Sequence, residues 1–466
     1  MTHQLNRRGF LAGAAVLGAA AWTFGAPSAV ADDLSGLRSA IRGRVLLPGD
    51  PGFDAARTPW NLTVDQSVLA VAEIADADDA AALIRYARQA GVAVAAQPSG
   101  HGASETVNGT ILVRTKNLNS VQLDPATRTA TVGAGVSWGE VQTVAGPLGL
   151  TGVTGSSPAV GITGYTLGAG LSWFGRAHGW ASESVTAFDV LDADGVHRHV
   201  TADENPDLFW ALRGGGGDYA FVTSLQFELK PAAAIYGGRI VWPAAQAPAV
   251  FAAFREITAT APEQLTLWCG LSRPPGAPPM VSIDAAYLGD STSAARLMAP
   301  LEAIGKPMAD TRRMMTAGEI GSITDEPTRP SPAHQQSTLI SDLSQHAIDT
   351  LLTEPMEPLI FLQVRHLGGA LARPSDTPAG AVTAPYLINF GGIQPNPQAA
   401  NAIDARVSRY LDELGPIATN RTPFNFLSPR QTIADALDAP SVARLREVKR
   451  TRDPHGVFRS NHPAMS

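Results

Sequence analysis

Apolar positions at helical spacing precede a short, uninterrupted apolar run in the first hundred residues. The stretch 76–90 opens with acidic residues suited to a helix N-terminus, which predicts an amphipathic helix. Its apolar face comprises Ala80, Leu83, Ile84, Ala87 and Ala90. The small apolar run 92–96 predicts a buried strand, and 110–113 predicts a second strand after a polar, glycine-bearing loop.

Further along, the pattern predicts short strands with turns up to residue 136 and again over 185–230. Ser137 is suited to cap a helix predicted over Trp138–Ala145. The stretch 192–195 is predicted to form a turn. After about residue 236 the chain mixes stretches with helical spacing and stretches typical of strands. The predicted strands are 238–242, 265–270, 281–287, 359–367 and 385–390, and the predicted helices are 248–259, 293–304 and 397–413. These elements favour an antiparallel sheet covered by helices.

Composition narrows the class of protein. A chain of 466 residues accommodates two or three domains, and 44% hydrophobic with 17% charged residues is ordinary for a globular protein. The net charge of −7, without a basic cluster between aromatics, argues against a nucleic-acid surface. Cys269 is the only cysteine, so an intrachain disulfide is excluded, and its apolar neighbours indicate a core thiol. His197 and His199 lie two positions apart on a predicted strand and so share one face of it. We interpret this face as exposed to solvent, with metal binding as the alternative.

The N-terminus has the features of a targeting segment. Arg7 and Arg8 form a twin-arginine pair, an apolar stretch follows at 11–24, and 29–31 is a small-residue cleavage pattern. We therefore expect export by the twin-arginine route, a mature chain that starts at Asp32, and a secreted or extracytoplasmic protein. A membrane anchor is the alternative, but the apolar run is short for a span, so we expect no stable membrane association after signal removal.

Three glycine-rich segments carry the candidate chemistry. The first, PSGHG at 98–102, sets His101 between two glycines just after a predicted strand. Glycine has no side chain, so such a loop lets backbone N–H groups approach a ligand, and the imidazole can tether a cofactor; a surface turn is the alternative. The second segment, 152–175, carries seven glycines and lacks an amphipathic period. The third, 209–227, leads from four consecutive glycines into an alternating strand.

Together with the tail REVKRTRDPHGVFRSNH at 446–462, these segments resemble the berberine-bridge-enzyme-like oxidases of the vanillyl-alcohol oxidase / p-cresol methylhydroxylase (PCMH) superfamily. The resemblance implies an α+β fold. It predicts a PCMH-type FAD-binding domain of two α+β subdomains at 32–235 and a substrate-binding domain with an antiparallel sheet covered by helices at 236–416. A C-terminal segment, 417–466, is expected to return to the FAD domain.

The resemblance also implies the cofactor and its ligands. His101 takes the place of the histidine that is bonded to the FAD ring, and a covalent link helps the flavin accept hydride. Where many members add a cysteine tether, this chain has Ser157, so we predict monocovalent FAD through His101 alone. The residues expected to contact FAD are Ser99, Gly100, Gly102, Ser104, Ser157, Gly161, Gly164, Tyr165, Gly168, Gly170, Val222 and Asn461. Val160 matches the oxygen-gating position, where valine resembles oxidases; ordinary packing is the alternative.

The catalytic base does not follow from the resemblance. The tyrosine of the family's Tyr-x-Asn motif is replaced by Leu387, and Tyr386 is expected to point to the opposite face. The glutamate of another family site is replaced by Arg365, which cannot act as a base at neutral pH but can bind a carboxylate or oxyanion. His366 and Tyr165 remain as weaker catalytic candidates, and we find no metal motif.

The resemblance thus implies a secreted oxidase that takes hydride from a CH–OH or CH–NH carbon of a small molecule or saccharide and passes electrons to O2, giving H2O2. Two alternatives stay open. One is a flavin dehydrogenase or tailoring enzyme, for cyclisation or desaturation, with another acceptor. The other is a non-catalytic exported binding protein, which the missing bases motivate. The identity of the substrate is not determined by the sequence.

Overall fold

The computed structural model describes Leu34, residues 36–353 and residues 355–466. The predicted export segment, 1–31, lies outside these residues. Within the described part of the chain, no helix is both long enough and apolar enough to cross a membrane.

The first sheet contains four strands, with parallel pairs at one side. Its elements are α1 (Leu37–Ala40), β1 (Arg44–Leu46), α2 (Phe53–Arg57), β2 (Ala70–Glu73), α3 (Ala77–Ala90), β3 (Val94–Ala96) and β4 (Ile111–Arg114). The strand order is β1-β2-β4-β3, and only the β1–β2 pair is antiparallel. The helix predicted over 76–90 is confirmed: Asp76 caps it by accepting from the Asp79 N–H, and Gly91 ends it with φ 68°.

The second sheet has five strands, all antiparallel, in the order β5-β6-β10-β8-β9. This region comprises β5 (Val121–Asp124), β6 (Thr129–Gly133), α4 (Trp138–Ala145), β7 (Leu150–Thr151), α5 (Ile162–Leu167), α6 (Gly175–His178), β8 (Val185–Leu191), β9 (His197–Val200), α7 (Pro206–Leu212), β10 (Phe221–Glu228) and β11 (Lys230–Pro231), which pairs with β7. The predicted helix at α4 is confirmed, with Ser137 and Glu140 forming a capping box. Both β9 histidines are exposed, and the described residues hold no cluster of three metal-binding side chains.

The third sheet is antiparallel throughout, in the order β15-β12-β14-β13-β18-β19-β17, with β16 beside β12. The region runs β12 (Ile235–Pro243), α8 (Ala247–Thr260), β13 (Leu265–Ser272), β14 (Met280–Leu288), α9 (Ser291–Leu297), β15 (Ala309–Asp310), β16 (Arg313–Met315), β17 (Ala333–Ile340), α10 (Gln345–Leu351), β18 (Phe361–His366), β19 (Tyr386–Ile393), α11 (Pro397–Leu414) and, in the tail, α12 (Ala439–Arg452). The predicted fold class is thereby confirmed: an α+β protein whose third, antiparallel sheet is covered by helices.

Helices α8, α10 and α11 pack against one face of this sheet around a core that includes Phe251, Ile388 and the buried thiol of Cys269. Two details differ from the expectation. The helix predicted over 293–304 is interrupted at Met298, and a 3-10 segment follows, because Pro300 has no amide hydrogen to continue the helical ladder. Strand β17 was missed, because residues 334–338 are all polar and the strand therefore shows no alternation of apolar and polar positions. His334 and Gln336 contact Asp404 of α11, whereas Gln335 and Ser337 contact Asn389 on the opposite face.

Candidate cofactor and substrate site

A cavity of about 690 Å³ lies between the glycine-rich segments and the helix-free face of the third sheet. Its volume falls in the range typical of ligand pockets, and its position between two domain-like units is a common one. The sequence-predicted residues that line it are Ser99, Gly100, His101, Gly102, Ser157, Val160, Gly161, Gly164, Tyr165, Gly168, Val222, Arg365 and Asn461. Ser104, Gly170 and His366 do not line it.

His101 is held in the loop after β3 by two contacts. Its Nδ1 shares a 2.8 Å hydrogen bond with the Ser99 Oγ, and its ring stacks on Trp60 with the centroids 4.3 Å apart. Its Nε2 is buried and has no hydrogen-bond partner among the described residues. Burial lowers the pKa of His101 to about 4, so the imidazole is neutral near pH 7. A neutral, fixed imidazole with an unused nitrogen is suited to form a bond to a ligand.

Close backbone packing explains one glycine of this loop. Gly100 has φ 81°, and a Cβ there would lie 2.7 Å from the Pro59 Cβ. The neighbouring Trp60 N–H donates to the Ser99 carbonyl at 3.0 Å, so the 59–61 segment runs directly along the loop. Trp60 was missed by the sequence analysis, because nothing local to it indicates a contact forty residues away.

The second glycine segment forms another wall of the cavity and contains α5. A Cβ at Gly164 would meet no atom within 4 Å, so this backbone is bare toward the cavity. Gly170 has a different role from the predicted one. It has φ 80°, and a Cβ there would lie 2.6 Å from the Tyr165 ring, so its lack of a side chain serves packing. Asn425 holds this turn, accepting from the Gly170 N–H at 2.7 Å and donating to the Tyr165 carbonyl at 3.0 Å.

Tyr165 presents a buried hydroxyl that has no hydrogen-bond partner within the described chain. Burial raises the pKa of Tyr165 well above its usual value, and the nearby Ser172 hydroxyl and then the positive charge of Arg365 oppose that rise. The Ser172 hydroxyl itself donates to the Thr154 carbonyl at 2.6 Å and forms no hydrogen bond of good geometry with Tyr165. The phenol is therefore protonated at neutral pH and can donate a hydrogen bond to a ligand, whereas it is a poor proton acceptor.

The β18 strand presents Arg365 to the cavity and turns His366 away. The expected alternation is confirmed: His366 packs on the helix-covered side, where its ring lies 5.9 Å from that of Tyr386. Burial and the Arg176 charge lower the pKa of His366 to about 3. His366 does not contact the cavity, so it is no candidate for proton transfer there. The Tyr386 hydroxyl bonds the Thr258 hydroxyl at 2.8 Å, on the same far side.

Further polar residues on the cavity face of the third sheet were not predicted. Asn389 of β19 accepts a 2.9 Å hydrogen bond from Ser337 and donates to Gln335 at 3.4 Å, both on the missed strand β17. The loop before β17 brings the carboxylates of Asp325 and Glu326 to the cavity. The only sequence signal for Asn389 was the incomplete Tyr-x-Asn motif.

The C-terminal tail closes the cavity and is anchored by Ser104 and Lys449. Ser104 donates from its hydroxyl to the Asn461 carbonyl at 2.6 Å and from its N–H to the Asn461 Oδ1 at 3.0 Å. Ser104 therefore holds the tail and not a ligand. Lys449 is buried, and its Nζ donates to the Asp453 carboxylate and to the Asp218 and Phe458 carbonyls at 2.7–2.8 Å. These contacts set Asn461 beside the His101 loop.

The cavity carries many polar atoms that the protein itself leaves without a partner. Fifteen buried side-chain nitrogen or oxygen atoms of the described residues lack a hydrogen bond, and seven of these belong to residues that line the cavity. The seven residues are Trp60, Gln97, His101, Ser157, Tyr165, Thr324 and Ser460. Because buried polar groups are normally satisfied, this concentration indicates a large polar ligand. With the bare backbone at Gly102 and Gly164, the residues present fit FAD.

Comparisons with known proteins agree with this geometry. The FAD binding domain family matches residues 68–201. The chain is 25% identical to (R)-6-hydroxynicotine oxidase of Paenarthrobacter nicotinovorans over 91% of this chain and 96% of that protein. Its fold is similar to that of Physcomitrella patens BBE-like 1, with a TM-score of 0.79, 21% identity and coverage of 91% and 97%.

A third similarity bears on the cofactor link. The glucooligosaccharide oxidase of Acremonium strictum, described with a 6-S-cysteinyl, 8α-N1-histidyl FAD, has a TM-score of 0.76 at 22% identity, with 91% of this chain and 96% of that chain covered. These matches confirm the predicted resemblance to the superfamily.

Proposed function

Because this chain is an FAD-dependent oxidoreductase with the fold of the berberine-bridge-enzyme-like oxidases, we propose that it is an oxidase of a CH–OH or CH–NH carbon in a small molecule or saccharide. The carrying observation is one cavity that joins the unpartnered His101 nitrogen and bare glycine backbone to a polar sheet face. FAD, when bound, supplies the two-electron acceptor: the substrate C–H and O–H (or N–H) become C=O (or C=N), and the electrons pass to O2, giving H2O2.

His101 is the proposed attachment residue, and attachment is single. Its Nδ1 is engaged with Ser99, so the nitrogen left for the bond is the buried Nε2. The pKa of about 4 keeps the ring neutral at neutral pH. In the tautomer whose Nδ1–H donates to the Ser99 hydroxyl, Nε2 carries no proton and is nucleophilic. The absence of a second, cysteinyl tether is supported by Ser157, which has no thiol, and by Cys269, which is buried in the third sheet.

We assign orientation of the substrate to Tyr165 and acceptance of its proton to Glu326. The protonated Tyr165 hydroxyl donates a hydrogen bond to the reacting oxygen or nitrogen, which places the C–H for transfer. Glu326 is the less exposed of the two carboxylates found among the described lining residues. A carboxylate there takes the hydroxyl or amine proton while the hydride leaves the carbon.

The experiment that tests attachment and activity uses the mature protein and His101→Ala in parallel. Each is precipitated with acid, and the yellow colour of pellet and supernatant is measured. A single link through His101 is supported if the colour stays in the wild-type pellet but is released into the supernatant from the His101→Ala variant. Colour released from the wild type overturns the covalent assignment. Peroxide release in a screen of alcohols, amines and saccharides tests the oxidase. Substrate that bleaches the flavin, with the colour restored by an artificial acceptor but not by O2, favours a dehydrogenase. Failure of every candidate substrate to bleach the flavin favours a binding protein.

The remaining parts of the proposal concern oxygen and location. Val160 lines the cavity beside Ser157, where a small side chain leaves O2 a path, which favours an oxidase. We also propose export by the twin-arginine route, on the basis of the Arg7–Arg8 pair, the apolar stretch 11–24 and the cleavage pattern at 29–31. Expression with Arg7→Lys and Arg8→Lys together, followed by fractionation, tests it: the enzyme is expected to remain in the cell.

A further inference from the structure

The cavity face of the third sheet carries two guanidinium groups, one of which is paired with a carboxylate while the other is not. Arg239 donates to both carboxylate oxygens of Asp284, at 2.5 and 3.1 Å, and its charge is neutralised. Arg365 is only 8% exposed, yet it forms no ion pair with any described carboxylate. Its one hydrogen bond within the described residues runs from its Nε to the Gln363 Oε1 at 2.8 Å, which leaves both terminal nitrogens for a ligand.

Aromatic rings hold this guanidinium in place. The Arg365 Cζ lies 3.8 Å from the Trp268 ring centroid, and Trp173 stacks on Trp268 with the centroids 3.6 Å apart. The two partners of Trp268 must occupy opposite faces of its ring at these distances. Phe426 adds a second ring at 5.0 Å from the Arg365 Cζ. Since the two rings lie against the guanidinium and Gln363 holds its Nε, the group is preorganised before a ligand arrives.

A buried cation of this kind is costly unless an anion compensates it. Burial lowers the pKa of Arg365 to about 10, so it keeps its charge at neutral pH. The groups that act on it electrostatically are Glu326, Asp284 and Tyr165. Asp284 is already paired with Arg239, and Glu326 lies on a loop without an ion pair to Arg365. The terminal nitrogens, a fork suited to two parallel hydrogen bonds, face a cavity built for ligands.

We propose that Arg365 binds a carboxylate of the substrate, so that this enzyme acts on an organic acid and not on a neutral alcohol or sugar. The term substrate rests on the proposed function, but the binding of a carboxylate needs no turnover. The guanidinium forms two parallel N–H···O bonds to the acid group, and Tyr165 and Glu326 serve the part of the molecule that reacts.

The test is calorimetric titration of the flavin-loaded enzyme with two matched pairs of probes, benzoate against benzamide and glycolate against glycolamide. Each pair differs in charge and hardly in shape. The carboxylate is expected to bind about tenfold or more tightly than its amide in at least one pair, as a charge-assisted hydrogen bond implies. Arg365→Met is expected to abolish this preference, and Arg365→Lys to keep part of it because the charge remains. Arg430→Met removes an exposed cation from the segment that borders the cavity and is expected to change nothing.

Equal affinity for both members of both pairs in the wild type overturns the inference, whatever the variants do. A preference that survives Arg365→Met, or that Arg430→Met removes equally, overturns it as well. The peroxide screen is independent of these titrations. Carboxylate binding without peroxide release supports the inference while the oxidase assignment fails, and peroxide release from neutral compounds without carboxylate preference does the reverse.

Discussion

Ser104 and Asn461 are 357 positions apart in the chain and form two hydrogen bonds, at 2.6 and 3.0 Å, beside the loop that carries His101. Thr106 adds a third bond to the Asn461 carbonyl at 2.9 Å. The C-terminal tail is therefore part of the cofactor site, and its attachment at Ser104 joins the last helix to the first sheet.

Ser104→Ala is expected to loosen the tail and lower flavin retention. The substitution removes the hydroxyl that donates to the Asn461 carbonyl and that also bonds the Thr106 backbone N–H and hydroxyl. We expect a cost of about 1–3 kcal/mol in the free energy of unfolding. Flavin content per protein and the melting temperature measure the effect. Ser120→Ala, at an exposed serine of the same region, serves as control, and equal flavin content in both variants would contradict a role for the Ser104 contact.

Lys449→Met is expected to lower the free energy of unfolding by about 3–5 kcal/mol, because it leaves the buried carboxylates of Asp218 and Asp453 without their cation. Arg450→Met, one residue along the same helix, removes an exposed pair with Glu447 and is expected to cost less than about 1 kcal/mol. Urea unfolding followed by circular dichroism compares the two. Similar midpoints for both variants would show that the buried cluster contributes little.

Val160→Leu is expected to slow the reaction of the reduced flavin with O2 by about tenfold or more, because the longer side chain, with one extra carbon, narrows the approach. Stopped-flow mixing of dithionite-reduced enzyme with oxygenated buffer measures this rate without any substrate. Val222→Leu adds the same volume elsewhere in the cavity and is the matched control. An unchanged rate in Val160→Leu would indicate that Val160 has only a packing role.

His366 is expected to make the fold acid-sensitive. Its pKa is about 3 in the folded protein and about 6.5 in the unfolded chain. As the pH falls from about 6.5 toward 3, the unfolded state binds a proton that the folded state does not. Stability is therefore present above pH 6.5 and is lost through this window, by roughly 3 kcal/mol at pH 4.

Melting temperatures recorded between pH 7 and pH 4 check this expectation. His366→Leu is expected to show a shallower loss than the wild type, since leucine binds no proton in either state. His455→Leu, at an exposed histidine, is expected to follow the wild type. A parallel decline in all three proteins would assign the acid sensitivity to other groups, including the buried His101 and His462.

Local chemistry was readable from the sequence alone. The helices at 77–90 and 138–145 were predicted almost to the residue. Their N-terminal caps at Asp76 and Ser137, and the apolar spacing within each helix, depend only on residues within about four positions of one another. The glycine loop around His101 and the alternation of Arg365 with His366 were predicted for the same reason, because strand and loop geometry repeat over two to five residues.

Relationships between distant segments were decided only by the tertiary structure. Trp60 stacks on His101, Ser104 binds the tail instead of a ligand, Gly170 makes room for a tyrosine ring, and Arg365 rests on Trp268. Each depends on which surfaces the packed sheets bring together, and no local period encodes that choice. The residues of the site were thus named largely by motif, while their partners, and hence the unpaired charge of Arg365 at the cavity, follow from the packing.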